Sequence, residues 1–282
     1  MQENIKRNKL CKFTILEEKQ IIEDYQSGMS MKALADKYNW NVSSISKMFK
    51  TYNIPARTLS AARRNYLNYT INENIFNNID TPDKAYWLGV MYSDGYISTT
   101  NKYTKAFGIS VSEKDKEWLE KFKEFLNYNG DIKFYQVSQG YKIGAPYVRL
   151  LIGNNKIVDD LKKWGVIEHK SKIINQLPNI PYLDDFIRGY IDGDGSLRKD
   201  YPCFQISGNQ DFLINIANYL QISYKIRIDK SIYCLHYNIK QSEYLEKRLY
   251  KNAHYFLQRK YDIASRSFNS PLTLEDVKEK PE

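Results

Sequence analysis

The chain has 282 residues and carries 42 Lys and Arg against 33 Asp and Glu, a formal charge of +9. That length holds one large domain or two smaller ones, each with a proper core, and the basic surplus points to a polyanionic partner. Composition also excludes classes: there is no apolar run of about 18 residues to cross a bilayer, and the opening MQENIKRNKLCKF lacks a signal-peptide core, so no membrane partner is expected and a soluble, intracellular protein of cytoplasm, nucleoid or organelle is.

Cys11, Cys203 and Cys234 are odd in number and without zinc-ligand spacing, which reads as reduced structural thiols. His169, His236 and His254 are equally isolated, which argues against a nuclease built on histidine-bound metal. From the N-terminus, Thr14 to Ser27 shows helical periodicity in Ile15, Ile21, Ile22 and Tyr25, and Gly28 closes the helix. Ser30 caps a second helix, MKALADKY. After the turn Asn39 to Asn41 a third runs from Val42 to Tyr52, with Val42, Ile45, Met48 and Phe49 inward. The pair reads as a helix-turn-helix. On its exposed face lie Ser43, Ser44, Ser46, Lys47 and Lys50, residue types that reach bases and phosphates from a major groove. Residues 1–70 hold 12 basic and 6 acidic side chains, which favours DNA over a protein partner for this module, assigned to 1–54. A linker is expected over 55–82, Asn-rich and bounded by prolines, with Arg63 and Arg64 placed to follow a DNA backbone.

The rest of the chain is organised around a phrase that occurs twice, YWLGVMYSDG from Tyr86 to Gly95 and FIRGYIDGDG from Phe186 to Gly195. Gly89 and Ser93, like Gly189 and Gly193, fall four apart on one helix face, so two such helices can bring their backbones unusually close. Gly95 and Gly195 stand where a helix takes a left-handed stop residue, which makes Asp94 and Asp194 the last residues before the chain turns. Parallel packing brings both carboxylates to one end. Two acids at helix C-termini repel each other and the dipoles, so a cation must offset them, and a hard divalent ion such as Mg2+ is the economical choice.

After each phrase the two halves run alike. Half one gives strands at Tyr96 to Thr99 and Phe107 to Ser112, a helix over Lys114 to Asn127, strands near Ile132 to Val137 and Tyr147 to Ile152, and a helix over Asn155 to Trp164. Half two gives strands at Ser196 to Arg198 and Cys203 to Ser207, a helix over Asp211 to Leu220, strands at Lys225 to Asp229 and Ile232 to Tyr237, and a helix over Gln241 to Tyr250. The fragments FGIS and FQIS fix the register. Each half is an αββαββα unit, over 83–180 and 181–268, followed by a charged tail at 269–282. In YVRLLI, Tyr147 and Arg149 oppose Val148, Leu150 and Ile152; in KIRID, Lys225, Arg227 and Asp229 oppose Ile226 and Ile228.

The two phrases resemble the motif of the LAGLIDADG homing endonucleases. Both keep the central glycine, the last acid and the final glycine. The second also keeps the earlier acid as Asp192, where the first carries Tyr92. The resemblance spans about 80 to 265 and implies an α+β fold of two pseudo-symmetric halves forming a β-saddle over double-stranded DNA, working as a monomer. It implies a site-specific endonuclease that hydrolyses one phosphodiester per strand, Asp94 and Asp194 holding Mg2+ with Mn2+ able to substitute. It further implies a lysine near the active site after the last helix of each half, assigned to Lys170 and Lys260 with Lys172 and Arg259 as neighbours. Base-edge donors from the sheets would be Arg149, Arg198, Gln205 and Arg227, with Lys225 beside them. Such genes are mobile and encoded in introns or free-standing.

Two other classes stay open: a maturase that binds intron RNA, and a catalytically silent DNA-binding regulator. Retention of both Asp94 and Asp194 favours the nuclease.

Overall fold

A computed structural model describes residues 13–57, 69–101, 104–136, 138–139, 142–168, 173–197, 203–229 and 232–267. The chain divides into two compact units, 1–70 and 71–282.

Among its described residues the first unit is a three-helix bundle. Helix α1 (Ile15–Gln26) begins on Thr14, whose hydroxyl accepts from Glu17 N while the Glu17 carboxylate takes the Thr14 N–H at 2.7 Å, a reciprocal cap. Ser30 and Asn41 cap α2 (Met31–Lys37) and α3 (Val42–Thr51), and Asn39 supplies the left-handed turn between them at φ 49°. Ile21, Leu34, Ile45 and Phe49 fill the core. Val42, expected inward, is instead 43% exposed: it begins α3, one turn beyond Ile45, where the apolar stripe has run past the core. Past α3, Arg57 lies over the Tyr25 ring at 4.0 Å and donates to the Gly28 and Met29 carbonyls at 2.9 and 3.2 Å, so the first part of the expected linker is tied to this bundle.

The second unit contains two halves of like topology. Half one runs α4 (Pro82–Ser93), β1 (Gly95–Asn101), β2 (Thr104–Ser112), α5 (Lys116–Phe125), β3 (Lys133–Tyr135), a short ribbon of β4 (Ser138–Gln139) and β5 (Lys142–Ile143), β6 (Tyr147–Gly153) and α6 (Asn155–Lys163). Half two runs α7 (Leu183–Asp194), β7 (Gly195–Leu197), β8 (Phe204–Gly208), α8 (Gln210–Leu220), β9 (Lys225–Asp229), β10 (Ile232–His236), α9 (Ile239–Tyr250) and α10 (Gln258–Ser267). Each half folds a four-stranded antiparallel sheet, in the orders β1-β2-β6-β3 and β7-β8-β10-β9, so the equivalences are β1 with β7, β2 with β8, β6 with β10 and β3 with β9. The fold is α+β.

Alternation along the strands sets the faces. In β6, Val148, Leu150 and Ile152 are buried while Tyr147, Arg149 and Leu151 turn away from the core. In β9, an edge strand, Lys225 and Arg227 are exposed and Ile226 packs on the core, but Ile228 is exposed as well, at 65%. Ile75, Phe76 and Ile79, inside the stretch expected to be a linker, lie in the core of this unit, and Trp164 Nε1 donates to the Phe76 carbonyl at 2.8 Å. Polar contacts between the halves include Arg259, which donates to Asp115 at 2.9 Å, His254, which meets Asp83 at 3.0 Å, and Asn215, which donates to the Asn175 carbonyl at 2.9 Å.

Candidate active site at the tips of two helices

Helices α4 and α7 pack side by side, parallel and in register. A methyl group added to Gly89 would overlap the Phe186 carbonyl oxygen and sit 2.9 Å from Tyr190 N; one added to Gly189 would overlap the Tyr86 oxygen and sit 3.1 Å from Val90 N. The pair is therefore reciprocal, and the helices touch backbone to backbone as the spacing predicts. At Gly193 an added methyl would overlap Ser93 Oγ and come 3.2 Å from Asp94 Oδ2. The tip of one helix thus lies against the acid of the other.

Gly95 and Gly195 are not left-handed stops. Neither has positive φ, and Gly195 is extended at φ −86°, ψ 156°. Both begin strands directly, and glycine is required because a Cβ would strike the helix just ended, at Met91 Cα (2.6 Å) and Ile191 Cγ2 (2.9 Å).

The end of α7 is capped by a cation. Lys260 on α10 is 3% exposed and donates to the carbonyls of Ile191, Asp192, Gly193 and Gly195 at 2.8, 2.6, 3.2 and 2.5 Å. The Asp192 and Gly193 carbonyls are acceptors that a helix C-terminus leaves open, Ile191 O also takes the Gly195 N–H, and Gly195 is already the first residue of β7. Burial pushes the ammonium down to about 8, against the pull of Asp192, Asp94 and Asp194. The resemblance places Lys260 after the last expected helix, Gln241 to Tyr250, whereas it lies within a further helix, α10. Arg259 turns instead to Asp115. Lys170, Lys172, Arg63, Arg64 and Arg198 lie outside the described residues.

Asp192, the earlier acid, is buried and accepts three bonds at 2.8 Å each: from Tyr86 OH across the helix pair, from Tyr250 OH, and from Leu257 N. Burial holds its carboxyl above the usual range, opposed by Lys260 and the three donors. Trp118 Nε1 donates to Tyr86 OH at 2.7 Å and fixes that hydroxyl. At the equivalent place in half one, Tyr92 donates to the Trp164 carbonyl and meets Phe186 edge-on at 4.8 Å between centroids. Phe186 is the counterpart of Tyr86. The motif departure is therefore matched across the interface: acid with hydroxyl on one side, hydroxyl-bearing ring with plain ring on the other.

Tyr190 donates to the Ser207 carbonyl at 3.0 Å, and its phenol is raised well above its ordinary value by burial and then by Asp194 and Asp94, so it stays a donor beside both acids. A cavity of about 710 Å³ opens at this end of the helix pair, with Ser93, Tyr190 and Asp194 in its wall alongside Glu168, Tyr96 and Tyr233. Sequence reasoning missed Tyr86, Tyr190 and Tyr250. The signal for Tyr86 was the paired mismatch of Tyr86/Phe186 with Tyr92/Asp192.

Of the other nominated residues, Ser43 and Lys47 are exposed on α3, with Ser44 and Ser46 half-buried; Lys225 and Arg227 are exposed, and Arg149 and Gln205 half-buried, on the outward sheet faces. Among the described residues no three His, Cys, Asp or Glu side chains cluster as a metal site, and no helix is long and apolar enough to cross a membrane.

No family model matches the chain. Over 151 residues it is 27% identical to the RNA polymerase subunit Rpo1C of Methanocaldococcus jannaschii, a match covering 51% of this chain and spanning only 16% of that protein's length. Among solved structures, the homing endonuclease I-WcaI bound to its DNA recognition sequence superposes with TM-score 0.52 at 13% identity, covering 68% of this chain and 89% of that one. The LAGLIDADG meganuclease I-AabMI bound to uncleaved DNA gives TM-score 0.45 at 15% identity, over 66% and 90% of the two chains. With its two pseudo-symmetric sheets and its glycine-faced helix pair, the protein has the fold of the LAGLIDADG homing endonucleases.

Proposed function

We propose that the chain is a DNA endonuclease that hydrolyses one phosphodiester on each strand of a duplex. The observation that carries this reading is the meeting of the two helix tips, where Gly193 leaves room for Ser93 and Asp94 and where Asp94 and Asp194 act on the same Lys260 and Tyr190. A fold alone needs one packed helix pair; it does not need an acid at the end of each helix.

The donor set fits a divalent cation of the Mg2+ or Mn2+ kind. Such ions take one or two carboxylates and complete their shell with water and substrate phosphate oxygens, and one carboxylate stands at the end of each motif helix. Asp94 and Asp194 would hold it, and when bound it supplies Lewis-acid polarisation and a more acidic water. The chain's own residues do the rest. Lys260 positions Asp194 by holding four carbonyls at the end of α7. Tyr190, kept protonated, donates beside both acids. The exposed Lys225 and Arg227 and the basic α3 face supply phosphate attraction, with the first unit acting as a helix-turn-helix.

The test is a cutting assay with the full chain on duplexes selected from a randomised pool for binding, in Mg2+ and in EDTA. Cuts on both strands in Mg2+ alone support the reading. Tight binding with intact DNA in Mg2+ and in Mn2+ would replace it with the silent regulator.

A further inference from the structure

Arg149 lies on β6, an interior strand, and faces away from the core between the buried Val148 and Leu150. Its Nε donates to Ser110 Oγ, directly opposite on β2, at 3.1 Å. Tyr135 and Tyr147, paired across β3 and β6, stack with their planes 13° apart, and the guanidinium stands 5.0 and 5.6 Å from the two ring centroids. Three contacts therefore hold the guanidinium plane, and little side-chain freedom is left to lose on binding. Nη1 and Nη2 have no protein partner among the described residues and are not buried.

A fixed, planar pair of donors is matched by two acceptors side by side. Guanine presents that pair as O6 and N7 on its major-groove edge; phosphate presents a similar one. Position decides between them. Base edges form the floor of a groove and phosphates its walls, so an interior strand laid along the groove faces the floor while an edge strand faces a wall. Arg149 is on the interior strand, and the residue beside it in the same row, Lys133, is exposed on edge strand β3.

We infer that Arg149 reads a guanine in duplex DNA, held in its reading position by Ser110, Tyr135 and Tyr147. The inference rests on the DNA-binding reading above and deepens it by assigning one base to one side chain. Half two does not repeat the arrangement. Its equivalent row is Ser207, Cys234 and Arg227, with the arginine moved out to edge strand β9. The guanine is therefore read in one half-site only, and the target is not a palindrome at this position.

The experiment uses the full chain in EDTA, selecting bound sequences from a randomised duplex library for wild type, Arg149→Gln and Arg149→Lys. Wild type should select guanine at one position that Arg149→Gln no longer distinguishes, its other positions unchanged. Replacing that guanine by 7-deazaguanine, which removes N7 and keeps O6, should weaken wild type by roughly 10-fold or more, the scale of one lost hydrogen bond to a charged donor, and leave Arg149→Gln unaffected. This second arm uses the unaltered protein, so misfolding of a variant cannot mimic it. A uniform loss across all positions, with the slope of log affinity against log salt smaller by about one, would make Arg149 a phosphate contact and overturn the inference while leaving DNA binding intact. Indifference to 7-deazaguanine at every selected guanine would do the same. Failure of wild type to bind any duplex would overturn the DNA reading itself, and the inference with it.

Discussion

The Tyr86 hydroxyl on one motif helix donates to Asp192 Oδ2 on the other at 2.8 Å, inside the core and across the boundary between the halves. The equivalent pair, Phe186 and Tyr92, has lost both the hydroxyl and the acid and makes a ring contact instead. The buried acid of one motif therefore takes one of its three donors from the opposite motif, beside Tyr250 and Leu257 N from its own half.

Restoring the acid in half one should fail unless its donor is restored too. Tyr92→Asp buries a carboxylate opposite the plain ring of Phe186 and should cost about 3 kcal/mol or more. Adding Phe186→Tyr should recover about 1 kcal/mol of that loss, a coupling between neighbours read by a double-mutant cycle of denaturant unfolding. Strict additivity of the two changes would contradict the pairing.

Gly89→Ala and Gly189→Ala should each destabilise the second unit by about 3 kcal/mol, the upper end of overpacking penalties, because the obstacle is backbone and cannot rotate away. Gly153→Ala is the control. Nothing lies within 4 Å of its added methyl and its φ is not positive, so the change should stay within about 0.5 kcal/mol of wild type. Thermal unfolding of the three variants checks both statements.

Lys260 predicts an unusual pH dependence. Its folded pKa, about 8, is below the unfolded value, so between the two the unfolded chain binds more protons and stability rises with pH. The window closes near pH 10, where unfolded-chain tyrosines begin to ionise and the raised phenols of Tyr86, Tyr190 and Tyr250 reverse the slope. Denaturant unfolding in EDTA should show wild type gaining about 2 kcal/mol between pH 8 and 10 relative to Lys260→Met. Parallel profiles would mean that Lys260 keeps its proton throughout.

Much of this architecture was legible in the sequence, and for identifiable reasons. Strict alternation in β6 separated Arg149 from Val148 and Leu150, and glycines four apart announced a close helix pair, because both signals are local and periodic. The rest depends on contacts distant in sequence. Gly95 and Gly195 were read as left-handed caps, since a helix followed by glycine has that default meaning; only the clash of a Cβ with Met91 and Ile191 gives the actual cause. Alternation places Ile228 on the face of Ile226, but it assigns a face and not its cover, and Ile228 is exposed. Nothing local marks the Tyr86 and Tyr250 hydroxyls, whose roles arise because Asp192 meets them from 106 and 58 residues away. Family resemblance points to Lys260, but its four carbonyl partners lie 65 to 69 residues away and nothing beside it in the sequence announces them.

The central claim is that Asp94 and Asp194 together form one hydrolytic site at the helix tips. Its most direct test is strand-resolved cleavage of a selected duplex in Mg2+ by wild type, Asp94→Asn and Asp194→Asn, with binding measured on the same samples. The account predicts that each substitution lowers cutting at least ~100-fold, the scale of losing one electrostatic group in such a site, while affinity for the duplex is kept. Cutting at the wild-type rate by either variant, or loss of cutting only in proportion to lost binding, would contradict it.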